Sequence, residues 1–448
     1  MTFDKKIVLI QLPSPFLLVE KWIAPLHLYY LQAFLRQRGF ENVSVVNLGG
    51  IEDYTREIPA DGDFYGISIF TPQYRSACEV SEYIKNHLGG IVIGGGHHIT
   101  ALPEESLRNS GIDIAVMGEG ELSLFEIVTC KDLQDIPGIA YKENSHIVCN
   151  PPRPFHPNLD EFPFPDIDEI DFQQYPGMVL DKNAGIYEMS IITSRGCPYD
   201  CAFCASKAFW KRTVRFHSAD YMMNAIDALH DRGINEFRFV DDNFDLNKPR
   251  LRKILARLKD RQSKWSCGMR SENVTHQTMA MMKESGLTEV SLGIESASNK
   301  ILKLINKRET VETHIRAIEI IKQYDIDIKA FLMSHLPGED QSTVDETVRF
   351  VRDQPIDCYT VSTFVPFPGT DIWQHPERYG YSFDRNQSYD AFACLNNNND
   401  NLSVSCDAEK TSRYHKQLFD ACAEKNTGVR SLHVAQNLDR GSCWKEAL

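Results

Sequence analysis

The chain has 448 residues, of which 62 are Asp or Glu and 48 are Lys or Arg, for a formal charge of −14; 42% of positions are hydrophobic and 25% charged. At about 100–200 residues per domain this length gives two or three domains with ample core, which excludes a disulfide-stapled mini-protein and a disordered tail. The acidic balance disfavours a general phosphate-backbone binder and a polybasic membrane anchor, so neither nucleic acid nor a membrane is an expected partner.

The first apolar run, Ile7 to Ile10, is cut short by Gln11, Pro13 and Pro15 before it takes signal-peptide form. No window approaches the roughly 18 apolar residues of a membrane-spanning helix. A cytoplasmic location is therefore expected, in which the twelve cysteines are mostly reduced and a clustered set points to metal or catalysis.

Residues 1–135 alternate short β-rich runs (Lys6 to Leu12, Val43 to Leu48, Phe64 to Phe70, Ile91 to Ile93, Ile114 to Met117) with amphipathic stretches such as Leu28 to Arg38 and Arg75 to His87. This predicts an α/β, doubly wound, Rossmann-like domain whose ligand lies beyond the carboxyl ends of the strands. Residues 136–184 are rich in Pro and Asp, as in Pro151-Pro152-Arg153-Pro154, and are expected to form an extended connector. Residues 185–380 resume the alternation with strand candidates Glu188 to Thr193, Glu236 to Val240, Trp265 to Met269, Glu289 to Ile294, Lys329 to Met333 and Tyr359 to Val365. Six such units predict a partial (β/α)6 TIM-like barrel, with chemistry on the loops after the strands. Residues 381–448 form a small C-terminal extension in which Asn396 to Asn399 read as a polar loop and Lys410 to Lys425 as a helix that packs as a cap.

After the first barrel strand comes Ser194-Arg195-Gly196-Cys197-Pro198-Tyr199-Asp200-Cys201-Ala202-Phe203-Cys204. Three thiols in one tight loop can hold three corners of an iron–sulfur cube and leave the fourth iron without a protein ligand. A partial zinc site or a chance cluster of buried cysteines are the alternatives, although zinc asks for a fourth Cys or His at paired spacing.

The run resembles the Cys-x-x-x-Cys-x-x-Cys signature of radical S-adenosylmethionine (SAM) enzymes. Phe239-Val240-Asp241-Asp242-Asn243, Cys267-Gly268-Met269-Arg270, Leu292-Gly293-Ile294-Glu295-Ser296, Leu336-Pro337-Gly338-Glu339 and Pro366-Phe367-Pro368-Gly369-Thr370 follow in the order expected of that family. Upstream, Gly66 to Thr71, Gly94-Gly95-Gly96-His97-His98-Ile99-Thr100 and Met117-Gly118-Glu119-Gly120-Glu121 resemble the cobalamin-binding domain of class B radical SAM enzymes. One departure is the lack of an Asp-x-His-x-x-Gly motif after the first strand, which fits a cobalamin held without a histidine beneath cobalt.

The resemblance implies a [4Fe-4S] cluster on Cys197, Cys201 and Cys204, with SAM on its open iron. It implies that Phe203 borders the adenine, that Arg270 pairs with the SAM carboxylate, and that Glu295, with Ser296 beside it, meets the ribose or the amino group. Arg270 and Glu295 could each instead form an internal barrel salt bridge. Of Asp241 and Asp242, one is expected to face the SAM amine and the other to cap the next helix. For cobalamin the implied contacts are Thr71, Gln73 and Tyr74 on the loop after Ile69, Gly94, Gly95 and Gly96 for close backbone approach, and His97, Thr100, Gly118 and Glu119.

The activity implied is methylation of an unactivated carbon of a small molecule, through a 5′-deoxyadenosyl radical and methylcobalamin, with electrons from an external donor of flavodoxin or ferredoxin type. Two alternatives are cyclisation or rearrangement with the same cofactors, and a non-catalytic iron–sulfur protein. The other nine cysteines are scattered, which argues against the second triad of a methylthiotransferase; Cys394 and Cys406 could supply a further iron ligand set.

Overall fold

A computed structural model describes residues 4–15, 17, 19–129, 131–144, 146–383, 389 and 408–426. The described residues divide into two compact units, one made of those up to Tyr175 with the short piece Phe367–Gly369 and Tyr389, the other of the remaining described residues.

In the first unit, β1 (Ile7–Gln11), β2 (Val43–Asn47), β3 (Phe64–Ser68), β4 (Ile91–Gly95), β5 (Ile114–Val116), β6 (Ile139–Glu143) and β7 (His146–Cys149) form one sheet in the order β2-β1-β3-β4-β5-β6-β7. β1 to β5 pair in parallel, and β6 and β7 are added antiparallel. The parallel part is the doubly wound order whose switch point lies between β1 and β3, where the connections leave in opposite directions and open a crevice. One face of the sheet packs Ile7, Leu9, Phe64, Ile93 and Val116 with Leu28 and Leu35 of the helix Leu26–Gln37 and Leu124 and Ile127 of the helix Glu121–Val128.

The stretch read as a connector does more than connect. Its first part is the β6–β7 hairpin, in which Asn144 follows β6 at φ 54° as a tight turn requires. The prolines that follow run over the same unit as short 3-10 turns, where Leu159 and Phe162 bury against Phe34, and Arg36 pairs with Glu169 at 2.7 Å.

In the second unit, β8 (Val179–Asp181), β9 (Ile186–Ile191), β12 (Glu236–Phe239), β13 (Lys264–Met269), β14 (Leu287–Glu295), β15 (Asp327–Ser334) and β16 (Cys358–Thr363) form a sheet in the order β16-β15-β14-β13-β12-β9-β8. The six strands from β9 to β16 pair in parallel and β8 is antiparallel at one edge, so the sheet is a partial barrel with open edges. All six strands expected from the sequence are present. A separate ribbon of β10 (Ser194–Arg195) and β11 (Arg215–Phe216) brackets the cysteine loop.

The helix expected over Lys410 to Lys425 runs from Ala408 to Lys425. It caps the unit as foreseen: Gln417 bonds Gln341 at 2.9 Å, Asn426 bonds both the N–H and the C=O of Tyr359, and His415 meets Ser334 at 2.7 Å. The asparagine-rich loop, Cys394 and Cys406 lie outside the described residues. Among the described residues no helix is long and apolar enough to cross a membrane.

Candidate active site

The cysteine loop is held from several directions. Before it, the Thr193 peptide is clamped: its N–H donates to Asp241 at 3.1 Å, while its C=O accepts from Arg250 at 2.7 Å. Asp241 also accepts from the Thr193 hydroxyl at 2.9 Å and from Ser194. Gly196 follows at φ 101°, where a Cβ would stand 2.0 Å from the Thr213 carbonyl, so only glycine lets the ribbon close. Within the loop, Ala202 N–H donates to the Ile305 carbonyl at 2.9 Å, Asn306 donates to the Asp200 carbonyl at 3.1 Å, and Asp200 pairs with Arg308 at 2.8 Å.

Burial pushes all three thiols, Cys197, Cys201 and Cys204, above the ordinary thiol range, Cys204 up to about 12. Donors nevertheless point at the sulfurs: the backbone of Tyr199 at Cys197, that of Ser206 at Cys204, and Arg270 Nη1 at Cys201 Sγ, 3.9 Å away. Desolvated thiols with donors aimed at them suit thiolates bound to a metal centre, which supplies the charge that burial denies. Among the described residues no three His, Cys, Asp or Glu converge as they would around one ion. A cube gives each of three thiolates on one loop its own iron, and each of these sulfurs has a donor aimed at it.

Around Cys201 lies a buried ionic network. Arg270 reaches Glu272 at 2.9 Å, Glu309 at 3.3 Å and the Lys307 carbonyl at 2.6 Å, with its guanidinium carbon 3.8 Å from the centre of the Tyr199 ring. Lys307 pairs with Glu295 at 3.3 Å and Glu309 at 3.5 Å. Burial works against the Lys307 charge, but the two carboxylates outweigh it and raise its pKa. Glu295 ends β14 at φ 63°, where the pairing with β15 slips by one residue. A Cβ on Gly293 would lie 2.6 Å from the Glu295 carboxylate and 3.0 Å from the Lys307 amine, so the glycine makes room for this pair.

These contacts show what each of the residues named from the sequence touches within the chain. Arg270 and Glu295 form the internal salt bridges. Asp241 is an anchor for the loop, whereas Asp242 is exposed, accepts from Ser206 at 2.9 Å and lies close enough to bias Cys197 and Cys204. Neither aspartate caps the following helix; Asn247 does, accepting from Arg250 N–H. Ser296 fixes the turn after β14, accepting from Ser298 N–H at 3.2 Å, and Phe203 packs against the cluster of Ile301, Ile305, Leu336 and Phe364. Sequence reasoning missed Lys307 and Glu309, whose signal was a charged triplet, Lys307-Arg308-Glu309, just after a helix.

In the first unit, the loops at the carboxyl ends of β1, β3, β4 and β5 are cross-tied by residues expected to touch a cofactor. The Gln73 amide donates to Ser14 Oγ at 2.8 Å and the Leu12 carbonyl at 3.3 Å, and accepts from Phe70 N–H at 3.2 Å. Thr71 shares a 3.2 Å hydrogen bond with His98, on whose ring Tyr74 and Tyr389 pack. Burial pushes His98 down to about 3, which keeps it neutral in that packing. Thr100 joins the Gly96 carbonyl to the Gly118 N–H. Gly94 and Gly96 pass too close to Ile112 and to the Ile69 backbone for a Cβ, whereas Gly95 and Gly118 leave open space. Glu119 is partly exposed beside Gly118, and Phe70, 48% exposed, stacks on His97 at 5.6 Å. Thr71, Gln73, Tyr74 and Thr100 tie the loops together, while Phe70, His97, Gly95, Gly118 and Glu119 form the accessible rim. An apolar ring beside open glycines at a switch point suits a flat ligand with a long tail.

The profile of the B12 binding domain matches residues 19–128, and that of the radical SAM superfamily residues 191–351. An uncharacterised methyltransferase from Pyrococcus horikoshii is 33% identical over 366 residues, 78% of each chain. The chain belongs to the radical SAM superfamily, class B. Another relative, the anaerobic magnesium-protoporphyrin IX monomethyl ester cyclase of Rubrivivax gelatinosus, is 27% identical over 375 residues, 79% of this chain and 65% of that protein. The radical SAM methyltransferase TsrM from Kitasatospora setae shares the fold, with a TM-score of 0.71 at 18% identity over 92% of this chain and 83% of that one.

Proposed function

We propose that this radical SAM enzyme is a cobalamin-dependent C-methyltransferase acting on a small molecule. The observation that carries the reading is the donor-lined triad of buried thiols in one chain with a B12-type switch-point crevice. Cys197, Cys201 and Cys204 are assigned to a [4Fe-4S] cluster, with Asp242 as the exposed carboxylate for the SAM amine. When bound, the cluster and SAM supply a hydrogen-abstracting adenosyl radical and cobalamin supplies the methyl group, chemistry that belongs to the cofactors.

The chain's own residues position and shield. Asp241 and Arg250 fix the peptide that launches the cysteine loop, Lys307 and Arg270 place positive charge beside Cys201, and Gln73 and Thr100 hold the crevice loops in register. TsrM has been solved with tryptophan, a small molecule, as substrate, which supports a substrate of that size here. We assign the electrons to a flavodoxin- or ferredoxin-type donor and the protein to the cytoplasm, where three exchangeable thiols stay reduced.

The cyclase relative gives a second reading, the same cofactors without methyl transfer. Anaerobic reconstitution followed by reduction with SAM decides between them. Methylation produces 5′-deoxyadenosine, S-adenosylhomocysteine and a product heavier by one CH2 unit. Deoxyadenosine with no S-adenosylhomocysteine, together with a substrate-derived product that has no added CH2, would favour the cyclase reading, and no deoxyadenosine at all would refute both.

A further inference from the structure

The family resemblance sets Arg270 against the SAM carboxylate, but its guanidinium is engaged by the chain at all three nitrogens. Nε donates to Glu272 at 2.9 Å, Nη2 to the Lys307 carbonyl at 2.6 Å beside Glu309 at 3.3 Å, and Nη1 points at Cys201 Sγ from 3.9 Å. The Tyr199 ring covers one face at 3.8 Å. A bidentate carboxylate clamp needs two adjacent N–H groups facing the ligand, and here they face Cys201 and the Lys307–Glu309 backbone turn.

We propose that Arg270 is a positioning residue for Cys201: held in place by Glu272 and Glu309, it keeps an N–H and a positive charge on that sulfur and raises the reduction potential of the cluster bound there. The assignment rests on the reading of the triad as cluster ligands. Reduction adds one electron, delivered by a low-potential donor, to a buried centre. Hydrogen bonds to the sulfurs and fixed charge nearby decide how costly that is. The charges acting most strongly on Cys201 are Lys307 and Arg270, with Glu295 opposing them. Glu309 is fully buried and touches both cations, so its carboxylate lowers the net positive potential at the sulfur. Arg270 and Glu309 therefore act in opposite directions on one quantity.

The test uses the full chain, reconstituted anaerobically with iron and sulfide, as wild type, Arg270→Gln and Glu309→Gln. The midpoint potential is read by redox titration followed by electron paramagnetic resonance without SAM, alongside iron content and SAM affinity. Arg270→Gln is expected to shift the midpoint negative and Glu309→Gln to shift it positive, with SAM affinity within about threefold of wild type in both. An unmoved midpoint with SAM binding weakened by about tenfold or more in Arg270→Gln would restore the carboxylate clamp and overturn the proposal. Shifts of the same sign in both variants would also overturn it, since mere loosening of the loop has no charge sign. If Arg270→Gln takes up no cluster, Glu309→Gln, which keeps the arginine, decides: the absence of a positive shift refutes the proposal. A wild-type protein that binds no cluster refutes the functional reading as well, whereas a loaded wild type with insensitive variants refutes only the role of Arg270.

Discussion

Gly196 carries no chemistry, yet the triad depends on it. Its φ of 101° and the 2.0 Å gap that a Cβ would leave to the Thr213 carbonyl mean that Gly196→Ala must open the β10–β11 ribbon or rotate the peptide before Cys197. Strain of this kind costs about 1–3 kcal/mol where the surroundings hold firm. Here it is relieved by moving the first cysteine. Gly196→Ala is expected to fold, because the ribbon is peripheral to the seven-stranded sheet, but to retain less than half of the wild-type iron after reconstitution; full iron content would show that the loop tolerates the shift. At this scale the sequence displayed the triad openly, since three nearby cysteines carry their chemistry in their spacing. It could not separate Asp241 from Asp242, which are identical letters side by side, because only the strand's alternation sends one toward Thr193 and the other toward Ser206. Nor could it show what Arg270 faces, because its partners Lys307 and Glu309 lie 37 and 39 residues away and meet it only through the curl of the sheet.

The turn from β15 into the helix Gln341–Asp353 shows what an element end can store. His335 sits at φ 65°, its N–H donates to Glu339 at 2.9 Å, and Asp340 caps the helix by accepting from Thr343 N–H. Burial pushes Glu339 up to about 7, against the stabilising hydrogen bond from His335 N–H, with Asp340 adding repulsion. A carboxyl raised in the folded state binds more protons there than in the unfolded chain, so stability falls as pH rises from about 4.5 to about 7 and stays lowered above that. Glu339→Gln keeps an acceptor for His335 N–H and removes the titration. Its melting temperature is expected to match wild type at pH 5 and to exceed it at pH 8, by an amount corresponding to the order of 2 kcal/mol. His335, which burial pushes down to about 4, titrates equally in both proteins and cancels in the difference. A difference that shrinks with rising pH would contradict the burial of this carboxyl. Among elements, the barrel strands were legible because each is a short, largely apolar run between amphipathic helical stretches. The β6–β7 hairpin was not, because its strands of five and four residues sit beside a proline-rich stretch whose composition masks the alternation around Asn144.

At the scale of the whole molecule, the two units build their loop scaffolds from their own residues. The crevice of the first unit is tied by Gln73 to Ser14, by Thr71 to His98 and by Thr100 to Gly118, and the cysteine loop of the second by Asp241, Arg250, Ile305 and Asn306. None of the first set of ties involves Cys201. Replacing Cys201 with Ala removes one iron ligand and the acceptor of Arg270 Nη1, and leaves Arg270 still held by Glu272 and Glu309, so the second unit keeps its charge pairing and its fold. Cys201→Ala is therefore expected to take up corrinoid to within about twofold of wild-type affinity while producing no 5′-deoxyadenosine after reduction with SAM. Corrinoid uptake is read from the visible spectrum after removal of unbound cofactor, and deoxyadenosine by chromatography of the same sample. The discriminating result is corrinoid loss in step with iron loss, which would mean that the crevice needs an assembled cysteine loop and that the division of labour between the two units is wrong. Retained corrinoid with absent deoxyadenosine assigns SAM cleavage to the second unit alone and leaves the first unit as the holder of the methyl carrier.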